Sequence, residues 1–190
     1  MGFIDSKNKE IYEILNVRFK KYISSDRINN EVQKFADRIN KDYSGQKVLF
    51  IVVLKGSIFF ASDLLRKIEV ECEVETVRAS SYGNEMINSK LRLSIENIDV
   101  FNKHILIVED IVDTGNTLFE LVKRIKSENP KSVEIVTFLS KPHNRQQPIE
   151  NKYVGIEIAP YFVIGYGMEY AEQGRNLADI YILEDEINKT

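Results

Sequence analysis

Val48–Leu54 is apolar at every position and rich in β-branched residues. An alternating strand would show one face to water. An unbroken apolar run predicts a strand buried on both faces, as in a parallel sheet. Ile105–Val108 is a second such run, and Val133–Leu139 a third. Helical spacing follows the first two, over Ile58–Ile68 and Leu118–Ile125. Strand, helix, strand, helix, strand predicts an α/β fold with a parallel-sheet core flanked by helices and joined by right-handed crossovers.

The flanking segments read differently. Ile11, Ile14, Leu15, Arg18 and Tyr22 share one helical face, so residues 1–23 are expected to form a helix and a short extended stretch. Ser25 and Asp26 then make a helix start. Ile28, Val32, Phe35, Ala36, Ile39 and Tyr43 follow at helical spacing, with Gly45 just past the end. Val70, Cys72 and Val74 alternate with glutamates, as in a half-exposed strand. Residues 82–90 lack periodicity and predict a loop, after which Leu91, Leu93 and Ile95 alternate again. Tyr153–Ile158, Phe162–Tyr166 and Ile180–Leu183 are short strand candidates. No repeat, low-complexity tract or Pro/Gly/Ser linker breaks the chain, so residues 1–190 are expected to form one domain.

Composition narrows the function classes. Lys and Arg number 26 against 29 Asp and Glu, a net charge of −3, which argues against a broad nucleic-acid footprint. Cys72 is the single cysteine, expected to pack as a small hydrophobe. It excludes an intrachain disulfide and CxxC chemistry and suits a reducing, cytoplasmic compartment. His104 and His143 are the only histidines, so a His-rich metal site is absent. No apolar run approaches the about 20 residues that cross a bilayer, and no signal-peptide pattern opens the chain. Met1-Gly2-Phe3-Ile4-Asp5-Ser6 fits a myristoylation pattern, but no polybasic patch follows to secure one acyl chain. Asn188-Lys189-Thr190 fits a glycosylation pattern that needs a secretory context.

In an open α/β sheet, ligands bind beyond the carboxyl ends of the strands. Lys55-Gly56-Ser57 follows the first buried run, Glu109 to Thr117 the second, and Ser140-Lys141-Pro142 the third. The second segment is the most informative. Two adjacent carboxylates, Glu109 and Asp110, precede Asp113, and Thr114-Gly115-Asn116-Thr117 then leads into a helix. Small residues before a helix N-terminus leave N–H groups free to cradle a phosphate. Neither G-x-x-x-x-G-K-[ST] nor G-x-G-x-x-G occurs. Carboxylates beside a phosphate cradle suit sugar hydroxyls or a divalent cation. The alternative is a capped turn, with Asp113 or Thr114 as the cap and both acids merely solvated.

Ile105–Leu118, reading ILIVEDIVDTGNTL, resembles the signature of type I phosphoribosyltransferases that binds phosphoribosyl pyrophosphate (PRPP). Its Glu-Asp-Ile-Val-Asp-Thr-Gly form is similar to the hypoxanthine-guanine branch. Leu54-Lys55-Gly56-Ser57 resembles that branch's first loop, and Ser80-Ser81-Tyr82-Gly83 the start of its lid. Lys141-Pro142 stands where the branch keeps a purine-contacting lysine. Phe162–Tyr170 resembles its base-binding segment, and Arg175 its pyrophosphate arginine. The resemblance spans roughly residues 27–183. The family usually has Asp where Glu169 stands and Leu where Met168 stands, and an aromatic is common at the position of Gly174.

The resemblance implies the type I phosphoribosyltransferase fold with a small hood built from the terminal segments (about 153–190 at the C-terminal end) and a mobile lid over about 80–92 carrying Ser81 and Tyr82. It implies purine salvage: Mg²⁺-dependent transfer of phosphoribosyl from PRPP to N9 of hypoxanthine or guanine, giving IMP or GMP and pyrophosphate. Asp113 would manage the purine N7 proton. Glu109 and Asp110 would hold the ribose hydroxyls, and Asp113, Thr114, Gly115, Asn116 and Thr117 the 5′-phosphate. Lys55, Gly56 and Arg175 would grip pyrophosphate. Lys141, Phe162, Val163, Met168 and Glu169 would form the purine site, and Glu109, Asp110 and Glu169 would serve the metal. The expected partners are PRPP and a 6-oxopurine, without nucleic acid or membrane, in a homodimer or homotetramer. A PRPP-sensing nucleic-acid-binding regulator on the same fold is the alternative, and the net charge disfavours it.

Overall fold

The computed structural model describes residues 9–81, 91–93 and 98–187. In chain order these hold β1 (Ile11–Ile14), β2 (Val17–Ile23), α1 (Ser25–Asp42), β3 (Val48–Leu54), α2 (Ile58–Leu65), β4 (Cys72–Ser81) and β5 (Leu91–Leu93). They continue with β6 (His104–Val112), α3 (Asn116–Lys126), β7 (Ser132–Ser140), β8 (Tyr153–Glu157), β9 (Val163–Ile164), β10 (Ile180–Leu183) and α4 (Glu184–Ile187). Among the described residues the strands form two sheets.

The larger sheet has the order β5-β4-β3-β6-β7-β8, and its strands from β4 to β8 are parallel. β3 explains why a strand with no polar face is stable here. Val48, Phe50 and Val52 point into a core shared with Ile28, Val32, Phe35 and Ile39 of α1 and Phe60 and Leu64 of α2. Leu49, Ile51 and Val53 point the other way, against Leu118, Leu121 and Ile125 of α3. Each apolar neighbour along the strand therefore meets a different helix layer. α1 buries the expected stripe, but its N-cap is Ser24, whose Oγ accepts from Arg27 N at 3.3 Å, one residue before the expected start. α2 ends at Leu65 and stops short of Ile68.

The smaller sheet, β1-β2-β10-β9, joins the two ends of the chain into the hood. Three expectations are corrected in this region and beside it. The N-terminal segment is a β-hairpin with no helix in its described part. Leu15 and Asn16 both adopt positive φ in a two-residue turn, and Ile14 pairs with Val17. That two-residue positive-φ geometry matches the twist of a hairpin. Ile11, Leu15 and Tyr22, three members of the supposed helical stripe, are exposed, whereas Phe19 and Ile23 are buried on alternate positions of β2. Second, β8 lies within the 153–190 stretch expected for the hood but pairs with β7, so the hood begins after it. Third, Cys72 is exposed at the start of β4 and is not packed.

Asp179 fastens the hood to the core. It accepts from Ser25 N at 2.7 Å and lies 2.9 Å from Lys21 Nζ. Burial raises its pKa, but Lys21 and Ser25 outweigh burial and hold it below the usual range.

Candidate active site

β3, β6 and β7 are neighbours and parallel, so their carboxyl ends open side by side. A cleft of about 260 Å³ forms there, lined by Val53, Leu54, Gly56, Glu109, Ile111, Val112, Asp113, Thr114, Gly115, Thr117 and Leu118. Two of the three loops singled out from the sequence line this cleft, and the third reaches its edge where Lys141 meets Asp113.

β6 continues to Val112, so Glu109 and Asp110 both lie within a strand, where adjacent side chains ordinarily point to opposite faces. The Asp110 carboxyl nonetheless acts on that of Glu109. Burial, then the charge of Asp110, pushes the Glu109 carboxyl well above its ordinary range. Asp110 also packs against Gly56, where any Cβ would collide with its carboxylate.

Gly115 is the N-cap of α3, with φ +83° and no side-chain cap. The first N–H groups of α3 thus lack the side-chain cap that a merely capped turn would provide. Thr114 Oγ1 approaches Asn116 N only at 3.5 Å. Asn116 holds its side chain away from the cleft: its amide donates to Gln146 Oε1 at 3.1 Å and accepts from Gln147 Nε2 at 3.0 Å. Gln146 N donates to Thr114 O at 2.9 Å. The phosphate-cradle candidate is braced by the segment that follows β7.

That segment also reaches Asp113. Lys141 Nζ lies 2.9 Å from Asp113 Oδ2, and Asn144 Nδ2 donates to Oδ1 at 2.9 Å. The Lys141 side chain is 10% exposed and that of Asp113 43%. Burial raises the Asp113 pKa, yet the hydrogen bonds from Lys141 and Asn144, with the charges of Lys141 and Arg145, bring it below the ordinary value. Arg145 Nη2 donates to Ser140 Oγ at 2.9 Å. Asn144 and Arg145 were not foreseen. The available signal was their position just after Lys141-Pro142, where a proline-started turn curls the chain back toward the loop before α3.

The hood approaches the first loop. Phe162 is 41% exposed, with its ring 6.4 Å from that of Phe19 and 5.9 Å from that of Tyr170. Val163 and Met168 are buried. Arg175 Nη2 lies 2.7 Å from Glu169 Oε1, and Nη1 donates to Gly167 O at 2.7 Å. Lys55 follows a cis Leu54–Lys55 peptide, and its Nζ is 3.3 Å from Glu172 Oε2 at the surface. Gly167, at φ +103°, sits against the Gly56 carbonyl where a Cβ has no room, so hood and first loop meet backbone to backbone. Ser81 is the last described residue of β4, its backbone paired with Leu91. Tyr82 and the rest of the expected lid up to residue 90 lie outside the described residues.

Among the described residues no three His, Cys, Asp or Glu side chains cluster as a metal site. Glu109, Asp110 and Glu169 therefore do not form one coordination sphere. Glu169 Oε2 is buried without a hydrogen-bond partner, which fits an oxygen facing a hydrated cation. No helix among the described residues is long and apolar enough to cross a membrane.

Comparison with known proteins agrees with this geometry. The family model of a phosphoribosyl transferase domain matches residues 24–171. The hypoxanthine phosphoribosyltransferase of Buchnera aphidicola subsp. Schizaphis graminum is 39% identical over 162 residues, 83% of this chain and 92% of that protein. The bifunctional protein TilS/HprT of Listeria innocua is 38% identical over 189 residues, 98% of this chain, and the chain spans only 28% of its length. A crystal structure of a hypoxanthine-guanine phosphoribosyltransferase from Bacillus anthracis superposes with a TM-score of 0.81 at 35% identity, covering 86% of this chain and 98% of that one. A hypoxanthine phosphoribosyltransferase from Staphylococcus aureus gives 0.82 at 34%, covering 94% of each. With its parallel sheet, braced loop before α3 and terminal hood, the chain belongs to the phosphoribosyltransferase family.

Proposed function

We propose that this protein transfers the phosphoribosyl group of PRPP to N9 of hypoxanthine or guanine in purine salvage, releasing pyrophosphate. One observation carries the reading: a carboxylate and an ammonium, Asp113 and Lys141, stand 2.9 Å apart at the mouth of the phosphate loop. A 6-oxopurine presents a proton at N7 and an acceptor at O6 on one edge, the complement of such a pair. Lys141 would donate to O6, where adenine offers a donor and would leave the ammonium unpaired. Asp113 would take the N7 proton as N9 forms its bond to the ribose. Its lowered pKa keeps it ionised for that task at neutral pH. Phe162, half-exposed beside the hood, would cover one face of the base, Met168 would pack behind it, and the Val163 carbonyl would meet the exocyclic edge.

The N–H groups of residues 114–117 would take the 5′-phosphate. Glu109 and Asp110 together offer several acceptors, a match for two vicinal ribose hydroxyls, and the raised Glu109 pKa favours an O–H donor beside them. Their shared negative charge would also favour the oxocarbenium character that develops at C1. Lys55, with Gly56 allowing close approach, and Arg175 would exchange Glu172 and Glu169 for pyrophosphate oxygens. Glu169, through Oε2, and the Glu109–Asp110 pair would hold Mg²⁺ through water. When bound it would supply positive charge against the departing pyrophosphate. Ser81 and Tyr82 would belong to the lid that excludes water from the activated sugar. The exposed Ile58 and Phe59 on α2 offer apolar surface for the homo-oligomer included in this reading, and a cytoplasmic setting suits its substrates.

The test offers hypoxanthine, guanine, xanthine, adenine, orotate and uracil in turn with PRPP and Mg²⁺. Nucleotide should form from the 6-oxopurines and not from adenine or the pyrimidines. Turnover of adenine, orotate or uracil alone would refute the assignment of Lys141.

A further inference from the structure

The general base assigned above has two carboxylate oxygens, and each already has a donor. Lys141 takes Oδ2 and Asn144 takes Oδ1, both at 2.9 Å. When Lys141 moves to the purine O6, Asp113 loses one of its two restraints. The terminal torsion of an aspartate is broad, so a carboxylate with no second anchor would turn freely. Building on the proposed function, we infer that Asn144 is the positioning residue for this base: its side-chain amide keeps Oδ1 in place and leaves Oδ2 facing the purine N7 proton.

Local structure explains how one short segment does both jobs. Pro142–Asn144 forms a single 3₁₀ turn that Lys141 leads into, with Asn144 N donating to Lys141 O at 3.1 Å. In such a turn, side chains three residues apart eclipse. Lys141 and Asn144 therefore project together and reach the two oxygens of one carboxylate. Pro142 fixes φ at the first turn position, and Arg145 N closes the turn onto Pro142 O at 3.3 Å. Lys141 N is tied to Val112 O at 2.9 Å, which sets the turn against the end of β6. The mount is rigid, while the Lys141 chain is long and can change partners. The remaining charged group acting on Asp113 is Arg145, whose guanidinium is bonded to Ser140. A neutral amide orients the carboxylate and lowers its basicity less than a second ammonium would.

The test is kinetic and spectroscopic. With saturating PRPP and Mg²⁺, Asn144→Ala should lower kcat for hypoxanthine about tenfold, a part of a general base's usual contribution, with KM for PRPP unchanged. The acidic limb of its kcat profile should move to higher pH, because a donor that lowers the Asp113 pKa is gone. Asn144→Asp should move that limb further the same way, by placing a second carboxylate beside the first. In the ligand-free protein, the Asp113 carboxyl carbon (assigned through Asp113→Asn) should titrate at higher pH in both variants. An active Asn144→Ala enzyme with unchanged kcat and acidic limb would overturn the inference and leave the proposed function standing. So would an unchanged carbon titration. Wild-type protein inert toward every 6-oxopurine would remove the proposed function, and the inference with it.

Discussion

Gly115→Ala isolates the contribution of the loop before α3. The backbone there has φ +83°, a region that costs an L-residue about 1–2 kcal/mol. A Cβ would sit 2.6 Å from the Ile149 δ-methyl and 3.2 Å from Arg145 Cδ. Both are movable side-chain atoms, so torsion and not collision sets the cost. For a chain of this size the loss corresponds to a Tm drop of about 2–8 °C. If the loop relaxes toward negative φ, the N–H groups of residues 114–117 turn away from the phosphate. Losing one charge-assisted hydrogen bond, worth about 1.5–3 kcal/mol, weakens PRPP binding about 10- to 150-fold. Gly45→Ala is the matched control. Its φ is +73°, nothing lies within 4 Å of its Cβ, and it follows α1 far along the chain from the cleft. Calorimetric titration of PRPP with Mg²⁺ and thermal melts should show similar Tm losses in both variants and weakened binding only in Gly115→Ala. Equal PRPP affinity in Gly115→Ala and wild type would refute the phosphate-cradle reasoning, as would equal weakening in the control.

Asp113→Asn should lower kcat about 100-fold or more while PRPP affinity stays within a few-fold, because the residue acts on the purine proton; stopped-time product assays beside PRPP titrations check this. Glu109→Gln should raise Tm near neutral pH although it impairs turnover. The folded Glu109 holds a proton that the unfolded chain releases above the ordinary carboxylate range, so its contribution to stability falls as pH rises from there toward the raised folded value. The gain should vanish near about pH 4, where both states are protonated, and melts across pH would expose a variant that is destabilised throughout. Phe60→Ala should cost about 3–5 kcal/mol, or about 6–20 °C in Tm, since this fully buried ring packs at 5.5 Å on Phe35 and 5.4 Å on Phe138. A melt lowered by only a degree or two would contradict that packing.

Much of this molecule is legible in the chain, for local reasons. β3 and β6 carry apolar residues at successive positions, and only a two-sided core accommodates that pattern. The stripe of α1 from Ile28 to Ile39 is buried as its spacing demands. The carboxylates, threonines and glycine of residues 109–117 stand out because they are contiguous, running from the end of β6 into α3. What sequence order cannot express is partnership between distant segments. β2 is a strand because β10, more than 150 residues later, pairs with it, Ile23 against Ile180 and Phe19 against Leu183. Its turn lacks the glycine that usually marks positive φ, since Leu15 and Asn16 occupy those positions.

The amino-acid sequence by itself determined which strands are buried and offered the candidates for meeting a phosphate, a sugar and a base. Burial preference and loop chemistry are properties of contiguous residues. Tertiary structure alone decided that Asp113 meets Lys141 and Asn144, that Arg175 meets Glu169, and that burial beside Asp110 raises the Glu109 pKa inside a strand that continues past both. Charge pairing and desolvation depend on distances through space, and those exist only once the sheet has brought its loops together.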